Sequence, residues 1–211
     1  MKNDRTLRIE GYYKSYEQLI REKTTLFDPN PFRIPYTIMD NSGDGYATGA
    51  ELFWRDKKTV KNADYWISYS YIDTRRLYKN YITEATPDFI SDHNLNIVTK
   101  YFINKWQTQV NATYSFATGK PYYNPTPGVA FLSERTPQYH NLSIGINYLT
   151  SIKKWFTVVY AGIDNVTNHK NIFGYRYAPG STTGTPVRPA IYRSVFIGAN
   201  FSLTAFDKDE L

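Results

Sequence analysis

Apolar and polar residues alternate one for one along most of this chain, the pattern of strands whose successive side chains face opposite ways. The clearest case is residues 106–118. There Trp106, Val110, Ala112, Tyr114 and Phe116 alternate with Gln107, Gln109, Asn111, Thr113 and Ser115. Residues 191–203 do the same. Ile191, Val195, Ile197, Ala199, Phe201 and Leu203 share one face, broken by Arg193, and Tyr192, Ser194, Phe196, Gly198, Asn200 and Ser202 share the other. Further alternating runs occupy 6–14, 46–55, 63–74, 92–103 and 138–149. Residues 155–164 are apolar on both faces, so pattern alone does not orient them.

The connections between these eight predicted strands alternate in length. Long stretches at 15–45, 75–91, 119–137 and 165–189 carry turn signals such as Asp28-Pro29-Asn30-Pro31, Asn41-Ser42-Gly43-Asp44-Gly45 and Pro179-Gly180. Short ones at 56–62, 104–105 and 150–154 separate them. Short turns on one side and long loops on the other are what an up-and-down transmembrane barrel requires. The expected fold is therefore all-β: an antiparallel up-and-down meander of about eight strands, part of a transmembrane β-barrel, open or partial. The last strand then descends, placing the C-terminus in the periplasm. Trp54, Tyr65, Trp106, Tyr148 and Trp155 fall beside the short turns, where an interfacial girdle belongs. A soluble β-sandwich binding module and a small eight-stranded outer-membrane barrel are the alternatives; an apolar face packed on a second sheet marks the sandwich.

Composition agrees with strands that meet an interface. Aromatic residues make up 17% of the 211, with 20 Tyr against 2 Met. The mean hydropathy of −0.53 is compatible with a membrane barrel, since half of each strand faces a wet lumen. No apolar run reaches the 18 residues of a transmembrane helix. The absence of cysteine excludes disulfide and thiol chemistry. A net charge of +6, scattered over the chain, reads as solvated turns and loops, with no nucleic-acid partner. The first 13 residues hold no apolar segment of a secretory signal, so the closing Lys208-Asp209-Glu210-Leu211 is a chance match to a retention address.

In this order, several segments resemble the TonB-dependent outer-membrane receptors of the Bacteroidetes type. They are Glu51-Leu52-Phe53-Trp54 after Gly43, Gly45 and Gly49; Asp64 to Tyr71 running into Arg75 and Arg76; and Thr86-Pro87 with Asp92-His93-Asn94. Ala117-Thr118-Gly119-Lys120-Pro121-Tyr122, Asn141-Leu142-Ser143 and Ile163-Asp164-Asn165-Val166 complete the series. The resemblance spans roughly 43–203. It implies the C-terminal part of a 22-stranded barrel that imports a scarce nutrient (an iron chelate, cobalamin or a glycan) with energy delivered by TonB. It also implies partners: outer-membrane lipid, the upstream barrel strands and plug domain that these 211 residues do not include, and TonB only through the intact receptor. The expected location is the outer membrane of a Gram-negative cell, and no enzymatic activity or cofactor is expected.

Candidate sites follow from the alternation. Arg8, Glu10, Glu51, Arg55, Lys100, Asn111, Asn141 and Asn147 are the candidates to line the lumen. Tyr122, Tyr123, Tyr175 and Tyr177 lie in long loops and are candidates for ligand contact outside the cell. Residues 40–51 match an EF-hand loop weakly through Asp40, Ser42, Asp44 and Glu51, but no helices flank it, so no metal is expected. His93, His140 and His169 lack metal-ligand spacing, and Asp88 and Asp92 read as turn formers rather than a catalytic pair. No nucleophile-elbow, zinc-protease or nucleotide-loop motif is present.

Overall fold

The computed structural model describes residues 4–26 and 36–202. In chain order the strands are β1 (Arg5–Leu26), β2 (Tyr36–Asp56), β3 (Ala63–Leu77), β4 (His93–Ile103), β5 (Thr108–Ala117), β6 (Pro121–Tyr122) and β7 (Glu134–Arg135). They continue with β8 (Tyr139–Ile152), β9 (Trp155–Asp164), β10 (Gly174–Tyr177), β11 (Gly184–Val187) and β12 (Ser194–Ser202). Eight of them form one antiparallel sheet in the order β1-β2-β3-β4-β5-β8-β9-β12, each long strand beside its predecessor. The pairs β6–β7 and β10–β11 are separate two-stranded hairpins inside long loops. The expected meander is observed. Its first and last strands are the two outer strands of the sheet, so the sheet is not closed. Leu203, the expected end of the last strand, lies outside the described residues.

The register sorts every side chain onto one of two faces. Trp54 opposes Leu7 and Ile67, Ile67 opposes Ile97, and Ile97 opposes Tyr114. The row continues through Leu142 on β8. One row lower, Ile144 pairs with Ile163, which pairs with Val195. This apolar face crosses all eight strands and is uncovered: Ile9 is 68% exposed, Ile146 47% and Ile197 80%. No second sheet packs on it among the described residues, which removes the sandwich alternative. The same register orients β9: Trp155, Val159, Ala161 and Ile163 join the apolar face, and Phe156, Val158, Tyr160 and Gly162 the other.

Charge enters the apolar face only at its rims. On β3, Tyr65, Ile67, Tyr69 and Tyr71 are followed by Asp73, which accepts a hydrogen bond from Tyr46 Oη at 3.0 Å. At the opposite rim Asp56, the last residue of β2, is buried. Its carboxylate accepts from the backbone N–H of Lys58 and Thr59 at 2.7 and 2.9 Å and from Arg5 Nε at 3.1 Å. The hydroxyl of Thr59 donates to it as well, and with those amides holds this acid well below the usual carboxylate range. The girdle aromatics lie at this same rim: Trp54 meets Tyr65 edge-on at 5.5 Å, and Trp155 meets Phe201 at 6.3 Å. Trp106 sits in a 3-10 turn, Asn104–Trp106, rather than in the strand expected from 106.

The largest departure from the expected elements is at 15–45. β1 runs to Leu26 and β2 starts at Tyr36, so most of this stretch is strand. Register shifts at Tyr16/Leu19, Leu19/Arg21 and Glu22/Thr24, with Gln18 at φ 55°, change which face successive residues occupy. Alternation is therefore lost in the sequence although the strand continues. Gly43, which reads as a turn residue, instead allows a close crossing. A Cβ there would lie 2.3 Å from the carbonyl oxygen of Leu77 and 2.6 Å from that of Leu19.

Candidate functional site

Two surfaces carry the candidate residues. The first is the polar face of the sheet. Arg8, Glu10, Glu51, Arg55, Lys100, Asn111, Asn141 and Asn147 all fall on it by register. At its turn end Arg55 Nε donates to Asp64 Oδ1 at 2.8 Å, and Lys57 Nζ approaches Asp64 at 3.9 Å. Arg55 and Lys100 both lie over the ring of Trp66, at 5.4 and 5.2 Å from its centroid. Asp64 and Trp66 were not among the sequence candidates; opposite charge and an aromatic at register positions facing Arg55 and Lys100 would have pointed to them. Arg8 pairs with Glu10 at 3.1 Å, and Glu51 stands directly across from Glu10. Toward the last strands the face is amide-rich. Asn147 Nδ2 donates to Gln109 Oε1 at 3.2 Å, and Asn141 Nδ2 donates to Asp164 Oδ1 at 3.0 Å. Beside these, the rings of Tyr160 and Phe196 lie over Gly198 and Gly162, each where a Cβ would be 2.4–2.5 Å from the ring.

The second surface is built by the long loops at the other end of the strands. Tyr81, Ala85 and Leu132 form a small buried core there, with Leu77, Tyr78 and Phe131 around it. The loops are tied to one another: Arg135 pairs with Asp92 at 2.9 Å and donates to the carbonyl of Gly119 at 3.0 Å. Beside this core opens a cavity of about 760 Å³. Tyr122, Tyr123, Tyr175 and Tyr177 all line it, so four residues from two loops converge. Tyr122 and Tyr175 rings are 4.6 Å apart. Burial, then the neighbouring Tyr177, Glu134 and Tyr175, push the Tyr122 hydroxyl above its ordinary value, which keeps it a neutral hydrogen-bonding group. Phe173, Pro125, Pro127 and Leu132 supply further apolar wall, and Asp88 and Ser181 supply polar rim. Sequence reasoning passed over these wall residues; the Asn124-Pro125-Thr126-Pro127 run in an aromatic-rich loop was the available signal. Aromatic and proline walls with a few hydroxyls suit a ligand with a flat or ring-shaped apolar body and polar edges.

The fold separates the residues of the weak EF-hand match. Asp40 and Glu51 lie on one extended strand, eleven residues or about 36 Å apart. They cannot meet one ion, and Ser42 N–H and Oγ–H already donate to Asp40 Oδ1. His93 lies between Tyr69 and Tyr71, its Nδ1 2.7 Å from Tyr69 Oη and its ring 5.0 Å from that of Tyr71. His140 and His169, distant in sequence, are adjacent in space with ring centroids 4.9 Å apart.

Residues 1–166 match the family described as TonB dependent receptor-like, beta-barrel. No curated relative matches the chain. Among solved structures, the chain is similar to the ferric-catecholate import receptor Fiu of Escherichia coli K12 in its closed form. The TM-score is 0.65 at 9% identity, over 94% of this chain and 25% of that one. It is also similar to the outer membrane transporter YddB of Escherichia coli, with a TM-score of 0.66 at 10% identity, over 94% of this chain and 30% of that one. The chain thus spans a quarter to under a third of the length of these transporters, and at such identity the likeness is one of fold.

Proposed function

The chain belongs to the TonB dependent receptor-like β-barrel family, and from that premise we propose that it is a C-terminal sector of the barrel wall of an outer-membrane import receptor. The observation that carries this reading is the apolar face that crosses all eight strands with no second layer packed on it among the described residues. A face of that extent marks contact with lipid or a partner, and its two unpaired edges each leave a row of N–H and C=O groups that lipid does not satisfy. In the intact receptor further strands of the same barrel complete those edges, and a plug domain meets the polar face. The order of the sequence motifs supports a receptor of the Bacteroidetes type, with the short turns and the C-terminus in the periplasm and the long loops outside the cell.

On this reading the loop cavity takes the cargo at the outer surface. Its walls favour a scarce nutrient with an aromatic or ring body, such as an iron chelate, cobalamin or a glycan; one structural neighbour is itself a ferric-catecholate import receptor. TonB supplies the energy through the intact receptor, and the chemistry of the wall is binding and passage rather than catalysis.

Fractionation tests the wall assignment. The chain, expressed in a Gram-negative host, should sediment with outer membrane and resist extraction by alkaline carbonate; recovery in the soluble fraction contradicts it. In the complete receptor, Tyr122→Ala with Tyr175→Ala should weaken cargo binding by about tenfold or more, measured by equilibrium titration on cells. Unchanged binding would remove the cavity from the proposal and leave the wall assignment standing.

A further inference from the structure

His140 is the second residue of β8, at its loop end, and His169 lies in the loop that follows β9. Their rings approach to 4.9 Å between centroids, with an interplanar angle of 71°. Two imidazoles bound to one ion through nitrogens at about 2.0–2.1 Å, at an angle between about 90° and the tetrahedral one, place their centroids roughly 4.5–5 Å apart. The observed spacing allows a shared ion.

The hydrogen bonds select the nitrogens. His169 Nδ1 is 2.9 Å from Asn171 Oδ1. That oxygen is fixed as an acceptor, because it also receives the His140 backbone N–H at 3.1 Å while Asn171 Nδ2 donates to the His140 carbonyl at 2.8 Å. His169 Nδ1 must therefore carry its proton, leaving the lone pair on Nε2. His140 Nδ1 is 2.9 Å from Tyr114 Oη, a group that can accept its proton and leave Nε2 of that ring free in turn. A histidine whose far nitrogen donates to a carbonyl or hydroxyl oxygen has the arrangement that orients metal ligands. In both rings the engaged nitrogen is thus Nδ1. The supports are themselves anchored: Asn171 is 5% exposed, and Asn165, 2% exposed, accepts the His169 N–H at 3.0 Å and donates to its carbonyl at 2.9 Å. The nearby charge of Lys170 is drawn aside onto the ring of Tyr192, 4.3 Å from its centroid.

We propose that His140 and His169 form a two-histidine site for a late first-row divalent cation, in which the ion bridges the loop after β9 to the end of β8. No third histidine or carboxylate joins them among the described residues, so water completes the coordination. Two imidazole ligands and open water positions favour Cu(II) and Ni(II) over Mg(II) or Ca(II). Bound metal would tether the segment leading to Phe173, which stacks on Tyr139 at 6.3 Å and lines the loop cavity. The site itself does not depend on what that cavity binds.

The test uses the full chain without a polyhistidine tag, in detergent, titrated with CuCl2 alone. Electron paramagnetic resonance should show hyperfine coupling to two imidazole nitrogens at one equivalent of copper. His140→Gln and His169→Gln should each lower the affinity by about tenfold or more and reduce the coupling to one nitrogen; His93→Gln should change neither. Two results would overturn the site: no imidazole coupling in the unmodified chain, which needs no variant to be interpreted, or equal copper affinity in all four proteins.

Discussion

The two faces of one sheet solve opposite problems. On the apolar face, Leu7, Ile9, Ile146 and Ile197 are large, uncharged and uncovered. On the other, Arg55, Asp64 and Lys100 are gathered around Trp66, and amides bond across strands from Gln109 to Asn147 and from Asn141 to Asp164. A water-soluble sheet hides its apolar side and exposes its polar one; here the polar side is hydrogen-bonded across strands, and the apolar side is bare. The difference teaches that the solvent of this protein is not uniform. Burial within the chain is slight, with only four buried hydrophobic residues among those described, so the hydrophobic gain must come from the surroundings.

Moving a charge between the faces should break the contrast most sharply. Ile146→Arg places a guanidinium in the middle of the apolar face and should cost about 2–4 kcal/mol of membrane-inserted stability. Asn147→Arg, one residue along on the polar face, should cost under about 1 kcal/mol. Urea titration of the vesicle-assembled receptor, carrying each change, compares them. Similar costs for both would mean that the faces do not meet different media.

A smaller loss is expected where three strands cross. Gly43→Ala drives a methyl into the carbonyls of Leu77 and Leu19, which are backbone and yield little. It should cost about 1–3 kcal/mol and raise amide exchange near Leu19 and Leu77 without altering β9 or β12. Uniform exchange across the sheet would contradict a local crossing.

Smaller still is the Arg55–Asp64 pair, whose side chains remain 38% and 23% exposed. A double-mutant cycle of Arg55→Gln and Asp64→Asn should give a coupling at or below about 1 kcal/mol. A much larger coupling would show that the polar face is drier than this sheet presents it.

The most local effect belongs to Asp56, the charge tolerated at the turn rim. Its folded acidity is stronger than that of a free side chain, so it stabilises the turn fully above the unfolded value of about 3.9. That stability is lost as pH falls through the lower folded value. Amide exchange at Lys58 and Thr59, corrected for intrinsic rates, should be flat from neutral pH to about pH 5 and rise below about pH 4. A rise already near neutral pH would exclude this carboxylate as the cause.

How far the sequence could be read follows from where the period of two survives. It survives wherever a strand has one apolar and one polar side, so β5 and β8 were legible almost residue by residue. It fails in β1 beyond Lys14, because bulges reset the phase, and in β2 before Tyr46, because Gly43 and Gly45 look like turns when seen without Leu77 and Arg76 against them. β9 could not be oriented, since Tyr160 and Phe156 are aromatic on the polar side; only its pairing with β8 decides. The eight polar-face candidates were legible from alternation alone. The four tyrosines were legible as loop residues, but their meeting at one cavity depends on the β6–β7 and β10–β11 hairpins, whose two-to-four-residue strands leave no periodic trace. The approach of His140 to His169 was invisible for the same reason: contact across a loop has no spacing rule.

The opposed media of the two faces can be read directly from two tryptophans on neighbouring strands. Trp54 lies on the apolar face, and Trp66 on the polar face beneath Lys100 and Arg55. Single-tryptophan forms, with the other three changed to phenylalanine, would be assembled in vesicles of brominated lipid. Bromine in the acyl chains should quench Trp54 strongly and leave Trp66 bright; equal quenching of both, or quenching of Trp66 alone, would contradict the account.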